Sequence, residues 1–129
     1  WIQYCGWYPQ RKVRLVKKDK ARWGGIDPHD RLIVSGKVKN LSGDIYHLSF
    51  DSIHGHFKTI DRFTEIGARE ALKEGKRANV LDVTIRPCFT FFKMYFLKLG
   101  FLDGVPGLIV CALSAFHTFT KYERMWEMG

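Results

Sequence analysis

The chain is poor in cysteine and in the short signatures of common catalytic sites. Its three cysteines, Cys5, Cys88 and Cys111, stand far apart, with no Cys-x-x-Cys pair. An odd, dispersed set supports neither a disulfide framework nor a cysteine zinc site, and it fits a reducing compartment. No P-loop and no Gly-x-Gly-x-x-Gly run is present, so the chain has no recognisable phosphate cradle. The five histidines include no His-Glu-x-x-His pair. His54 and His56, two apart on a helix, point to different faces and make a poor ion site. No signal peptide is visible, although a missing N-terminus would hide one, and repeats and low-complexity tracts are missing too. So is an initiator methionine. Trp1 is followed at once by aromatic, strand-like sequence, which sets the expectation of a fragment from inside a longer protein. Long apolar runs are scarce: "GVPGLIVCALSAFHTFT" (104–120) carries no formal charge for seventeen residues. A spanning helix needs about 20 apolar residues, so this run is marginal as a span.

What is present is a chain able to fold. Its 129 residues are 46% hydrophobic and 15% aromatic, enough for one sizeable core and too apolar for a disordered segment. The formal charge is +8, unevenly spread. Residues 1–50 hold ten Lys/Arg against four Asp/Glu, whereas residues 51–77 and 78–129 each add only +1. A basic N-terminal part favours an anionic partner: phosphate, nucleic acid or an acidic lipid surface. A merely soluble basic face is the plainer alternative.

Periodicity divides the chain. "RKVRLVKK" (11–18) alternates Val13 and Leu15 with charged neighbours, which predicts a half-buried strand. "LIVSGKVKNLSGDIYHLSF" reads as two strands turning at Ser42-Gly43. From Ser52 to Arg77 the apolar residues Ile53, Phe57, Ile60, Phe63, Ile66 and Ala71 take helical spacing, with Gly75 as C-cap. "RPCFTFFKMYFLKLGFLDG" (86–104) crowds six aromatic rings with Lys93 and Lys98 among them. Snorkelling lysines, aromatic rings and a short apolar run fit a helix lying in a membrane interface. The alternative is a buried helical hairpin closing the core of a larger protein.

The stretch "ARWGGIDPHDRL" (21–32) concentrates the chemistry. Gly24 and Gly25 free the backbone and Pro28 fixes its own φ, so the loop is able to present Asp30 at a cleft edge. A lone presented carboxylate suits a general base, with His29 orienting a substrate hydroxyl. The rival reading is an Asx-type turn in which Asp27 and Asp30 bond backbone amides. His47, in "DIYHLSF", reads as a core or cleft histidine.

The order of these pieces resembles the C-terminal half of glycosyltransferase family 2, nearest the bacterial enzymes that build the lipopolysaccharide core and related envelope glycans. A "GW-P---VRL" element is matched by Gly6, Trp7, Pro9, Val13, Arg14 and Leu15. A tryptophan loop ending in His-Asp is matched by Trp23, His29 and Asp30, and a "G-V--L-G-I-H" strand by Gly36, Val38, Leu41, Gly43, Ile45 and His47. An "IDRF" helix follows, then a tail carrying Phe92, Tyr95, Phe96, Leu97, Lys98, Gly100, Phe101, Leu102, Asp103, Gly104 and Gly107.

The resemblance implies the C-terminal part of a GT-A α/β fold, of short mixed strands and then amphipathic helices. Residues 1–77 would form the acceptor side of the catalytic domain and 78–129 a helical membrane-interface segment. It implies inverting transfer from a nucleotide-sugar donor to a hydroxyl of a lipid-linked or lipopolysaccharide-core glycan. Asp30 would be the base, shorter by one methylene than the commoner Glu, with Arg14, Trp23, His29 and His47 on the substrate side. A divalent metal, Mg or Mn, would be held by an Asp-x-Asp outside this chain, and no metal ligand is expected within it. The donor-binding half has no counterpart here, so the fragment alone is expected to be inactive. The resemblance further implies peripheral placement on the cytoplasmic face of the bacterial inner membrane and no nucleic-acid partner. The rival of another class is a non-catalytic basic module that binds anionic lipid or nucleic acid.

Overall fold

The computed structural model describes residues 2–24, 31–45 and 52–129. These form a mixed α/β structure that is mostly helical, with one two-stranded sheet. Strand β1 (Ala21–Gly24) pairs antiparallel with β2 (Arg31–Val34), Ala21 facing Val34 and Gly24 facing Arg31. Helices α1 (Ile53–Lys73), α2 (Val80–Phe92) and α3 (Gly104–Met128) follow.

Helix α1 is set by local chemistry. The Ser52 hydroxyl accepts from the Gly55 amide at 3.0 Å, satisfying one of the donors that a helix start leaves open. At the far end Glu74 is the C-cap and Gly75, at φ +77°, is the left-handed residue after it. The Gly75 and Lys76 amides bond back to the carbonyls of Leu72 and Ala71, closing a Schellman motif. The buried face, Ile60, Thr64, Ala68 and Ala71, recurs every three to four residues. The Thr64 hydroxyl donates to the Ile60 carbonyl at 2.7 Å, so its burial leaves no orphan polar group.

Helix α2 starts on a capping box, in which Asn79 and Asp82 each accept from the other's amide at 3.0 Å. Pro87 lies inside the helix, buried, and removes one backbone donor. The helix then widens into a π-helical turn, Lys93–Leu97, and the chain reverses through Leu99 (φ +56°) and a 3-10 turn, Gly100–Asp103. Helix α3 returns antiparallel to α2: Thr118 meets Thr90 at 3.3 Å, and the Arg86 guanidinium lies 5.0 Å from the centre of the Tyr122 ring. Packed against both α1 and α2, α3 is the central element. Phe57 meets Phe116 edge-on, the Asp61 carboxylate pairs with Arg124 at 2.5 Å, and Met125 is buried on Ala68 and Ala71.

The N-terminal segment folds back on the reversal. Cys5 and Cys111 bury their sulfurs 3.4 Å apart, with Ile2, Trp7, Phe91, Met94 and Tyr95 around them. The Asp103 carboxylate accepts from the amides of Gln3 (3.1 Å) and Tyr4 (2.8 Å). Gly100 is required here, because a Cβ would sit 2.8 Å from both sulfurs and from the Met94 carbonyl oxygen. Gly107 has the same reason: a Cβ there would collide with the Gly100 carbonyl. Gly100 and Gly107 thus serve close approach, whereas Gly104 has open space around it and serves its positive φ of +64°.

Two expectations are corrected. Residues 11–17 form no strand and 18–20 make a 3-10 turn. The alternation there has no partner strand, and Leu15 stays 81% exposed. Nor does a hairpin turn at Ser42-Gly43. Residues 35–45 carry no strand, and Gly43 (φ +100°) sits in a bend. The antiparallel pair that does form joins 21–24 to 31–34, across the stretch that holds His29 and Asp30. The upper half of the expected second strand, including His47, lies outside the described residues.

Candidate functional site

Strands β1 and β2 end side by side at Gly24 and Arg31, so they hold together the two ends of the connection 25–30. Asp30, His29 and Gly25 belong to that connection and lie outside the described residues. The pair itself has two distinct faces, because directly opposed residues in an antiparallel ladder share a side. One face carries Ala21, Trp23, Leu32 and Val34. The other carries Arg22, Gly24, Arg31 and Ile33.

Trp23 is 73% exposed, a broad aromatic plane open to a ring-shaped ligand. On the opposite face Arg22 and Arg31 are diagonal neighbours, both exposed, and neither forms an ion pair among the described residues. Diagonal positions lie about 7–8 Å apart, a separation that suits two guanidinium groups sharing one multivalent anion. Neither arginine stands out in the sequence, since each is one cation among ten in a basic segment. The available signal was their position on either side of the Trp23-to-Asp30 stretch. Arg14 is also exposed, in the irregular run before β1, and no hydrogen bond, ion pair or ring contact joins it to Trp23.

The histidines of α1 behave as the helical geometry requires. His54 is exposed, whereas His56 is half-buried with its ring centre 6.4 Å from that of Trp7. Burial lowers the His56 pKa from its ordinary value. Among the described residues no three His, Cys, Asp or Glu side chains converge to hold a metal ion. The described donor set therefore does not fit a catalytic metal.

A second polar cluster, unmarked in the sequence, sits where the N-terminus meets α3. The Cys5 thiol is pushed up to about 12, first by burial and then by its neighbours Cys111 and Asp103; Cys111 is raised chiefly by burial. Such thiols are protonated and structural, not nucleophilic. Along α2 the Asp82 carboxyl is held below its usual range by Arg86 first and the Asn79 amide second. The shallow groove between α2 and α3 is lined by Ile85, Arg86, Phe89, Thr90, Thr118 and Tyr122.

The chain is similar to proteins of Rickettsia that are named uncharacterized glycosyltransferases. It is 27% identical to one from Rickettsia conorii over 124 residues, covering 89% of this chain and 44% of the relative. The relative from Rickettsia typhi is 25% identical over 126 residues, with 91% and 43% covered. The relative from Rickettsia felis is 26% identical over 124 residues, with 89% and 44% covered. The chain thus spans less than half the length of the curated relatives it matches. No protein-family model matches it, and no solved structure does.

Proposed function

We propose that this chain is the acceptor-side part of an inverting glycosyltransferase of GT-A type, using a nucleotide-sugar donor. The observation that carries the reading is the similarity, over about nine-tenths of the chain, to proteins named glycosyltransferases. The β1–β2 pair supports it by setting an exposed tryptophan on one face and two arginines on the other, at the base of the connection that contains Asp30.

In this reading Asp30 takes the proton of the acceptor hydroxyl as that oxygen attacks the anomeric carbon. The bond from the anomeric carbon to the donor phosphate breaks on the opposite side, which inverts the centre. The nucleotide diphosphate leaves with the bonding electrons. Trp23 stacks on a sugar ring of the acceptor, and His29 and His47 position its hydroxyls. Arg14, Arg22 and Arg31 offer positive charge to the diphosphate or to an anionic acceptor. No step is assigned to a metal on these residues; the proposed Mg or Mn belongs with an Asp-x-Asp elsewhere in the protein. The acceptor is a lipid-linked or lipopolysaccharide-core glycan, reached from the cytoplasmic face of a bacterial inner membrane.

Replacing Asp30 with Asn in the intact protein is expected to cut turnover about 100- to 10,000-fold, the usual worth of a general base. Donor affinity, measured by calorimetry, should stay unchanged, and Asp30→Glu should restore part of the rate. Turnover within a few-fold of the parent, with donor binding intact, would remove Asp30 from the base role.

A further inference from the structure

Along α2 and its π-helical extension, Leu81, Ile85, Phe89, Phe92 and Phe96 are all exposed. Their spacing of three and four residues puts them on a single face. At 1.5 Å per residue the stripe is about 22 Å long. The other side of the hairpin is occupied, since Pro87, Thr90, Phe91 and Met94 turn toward α3 and the N-terminal segment. Such a stripe needs a cover, and its electrostatic setting selects one.

Between Asp82 and Glu123 the sequence contains one carboxylate, Asp103, and both its oxygens are engaged by the Gln3 and Tyr4 amides. Lys93 and Lys98 flank the aromatic end, and neither forms an ion pair among the described residues. The Cys5 amide bonds to the Lys98 carbonyl, so the segment leading to Arg11, Lys12 and Arg14 starts from this same end. An apolar stripe bordered by unpaired cations and almost free of acids complements an anionic bilayer surface. Helix α3 is a poorer candidate for that contact. The stretch Gly100–Met128 is long and apolar enough to cross a membrane by length and composition, its most apolar 18-residue window having a mean hydropathy of 1.4. However, α3 is flanked by α1 and α2, and the charged outer side of α1 (Arg62, Glu65, Arg69) would have to enter with it.

We propose that the outward face of α2 and its π-helical turn lies in the plane of an anionic bilayer. Leu81, Ile85, Phe89, Phe92 and Phe96 reach the acyl boundary, and Lys93 meets lipid phosphates. The proposal rests on the membrane-side placement of the transferase reading and assigns that contact to one surface. Cys88 supplies a native reporter. It is exposed on α2 beside Phe89, whereas Cys5 and Cys111 are buried.

The test labels the intact protein at Cys88 with an environment-sensitive thiol dye and titrates it with phosphatidylcholine vesicles, with or without phosphatidylglycerol. Binding that rises with anionic lipid, falls with salt and shifts the dye to the blue supports the assignment. The double substitution Phe89→Glu and Phe92→Glu should weaken vesicle binding by about tenfold or more. Lys93→Gln should weaken it about fivefold. Vesicle binding with no dye shift and no loss in the double variant overturns the α2 assignment and leaves the membrane placement standing. No binding to either vesicle overturns both, while transfer to a detergent-solubilised acceptor would still report on the transferase reading. A Cys88 unreactive without vesicles, or a melting temperature that collapses in the double variant, shows the stripe covered by protein and also overturns the proposal.

Discussion

Gly100 lies where three backbones converge, and a single methyl tests the arrangement. Ala at this position forces its Cβ against two sulfurs and a carbonyl oxygen, none of them the end of a flexible side chain. Gly100→Ala is expected to cost about 1–3 kcal/mol in denaturant unfolding, as overpacking of a tight core does. His56 sets a pH dependence of known sign. Burial lowers its folded pKa, so the unfolded chain binds more protons near pH 6. Its contribution to stability is complete above the unfolded value of 6.5 and is lost as pH falls through the lower folded value. Melting temperature should therefore rise between pH 5 and 7, and His56→Gln should flatten that slope. A slope unchanged in the variant would assign the effect to other groups. At this same scale lies Asp30, whose role is argued from similarity and from the strands that flank it.

Helix α1 was legible because its determinants sit within a few residues of each other. Those of α2 are equally local, but its start at Asn79 was not read from the sequence, which marked that region only from Arg86 onward. Ser52 and Gly55, Asn79 and Asp82, and Gly75 with its two back-bonded amides are all local pairs. The Asn79 box is the sharper test, since both of its hydrogen bonds close on one turn. Asn79→Ala should cost about 1 kcal/mol, read as a lower melting temperature, while the same change at exposed Lys76 should not. The strands were not legible in this way. Val13 and Leu15 alternate well, yet a strand needs a partner to satisfy its amides, and the only partner formed among the described residues is β2, for β1. A period of two in a basic segment reports compatibility with a strand without supplying the other half of the ladder.

On the scale of the whole molecule, the chain leaves much surface open. It exposes 10194 Å², against about 7,000 Å² expected for a compact protein of its mass. The excess includes Ile53 and Phe63 on α1 as well as the stripe on α2. What closes the structure is a contact nearly a hundred residues long in sequence, from Asp103 to the Gln3 and Tyr4 amides. Asp103→Ala removes two charge-assisted hydrogen bonds and should cost about 2–3 kcal/mol. Hydrogen exchange should show residues 2–8 losing protection first, with α1 unaffected. Uniform loss across all three helices would mean that the N-terminal segment is part of the cooperative core.

The sequence by itself determined the helical stretch after Ser52, the concentration of positive charge before residue 50 and the scarcity of acids between Asp82 and Glu123. Each of these is a property of neighbouring residues and needs no fold to be read. Only the tertiary structure decided that Ala21–Gly24 pairs with Arg31–Val34, which brings Arg22 and Arg31 to one face of the ladder. It also decided that Cys5 and Cys111 meet around Gly100, and that Asp103 holds the chain's beginning against its last helix. Those contacts join residues from seven to 106 positions apart. Their free energy comes from burial and hydrogen bonding that exist only once the chain has closed on itself.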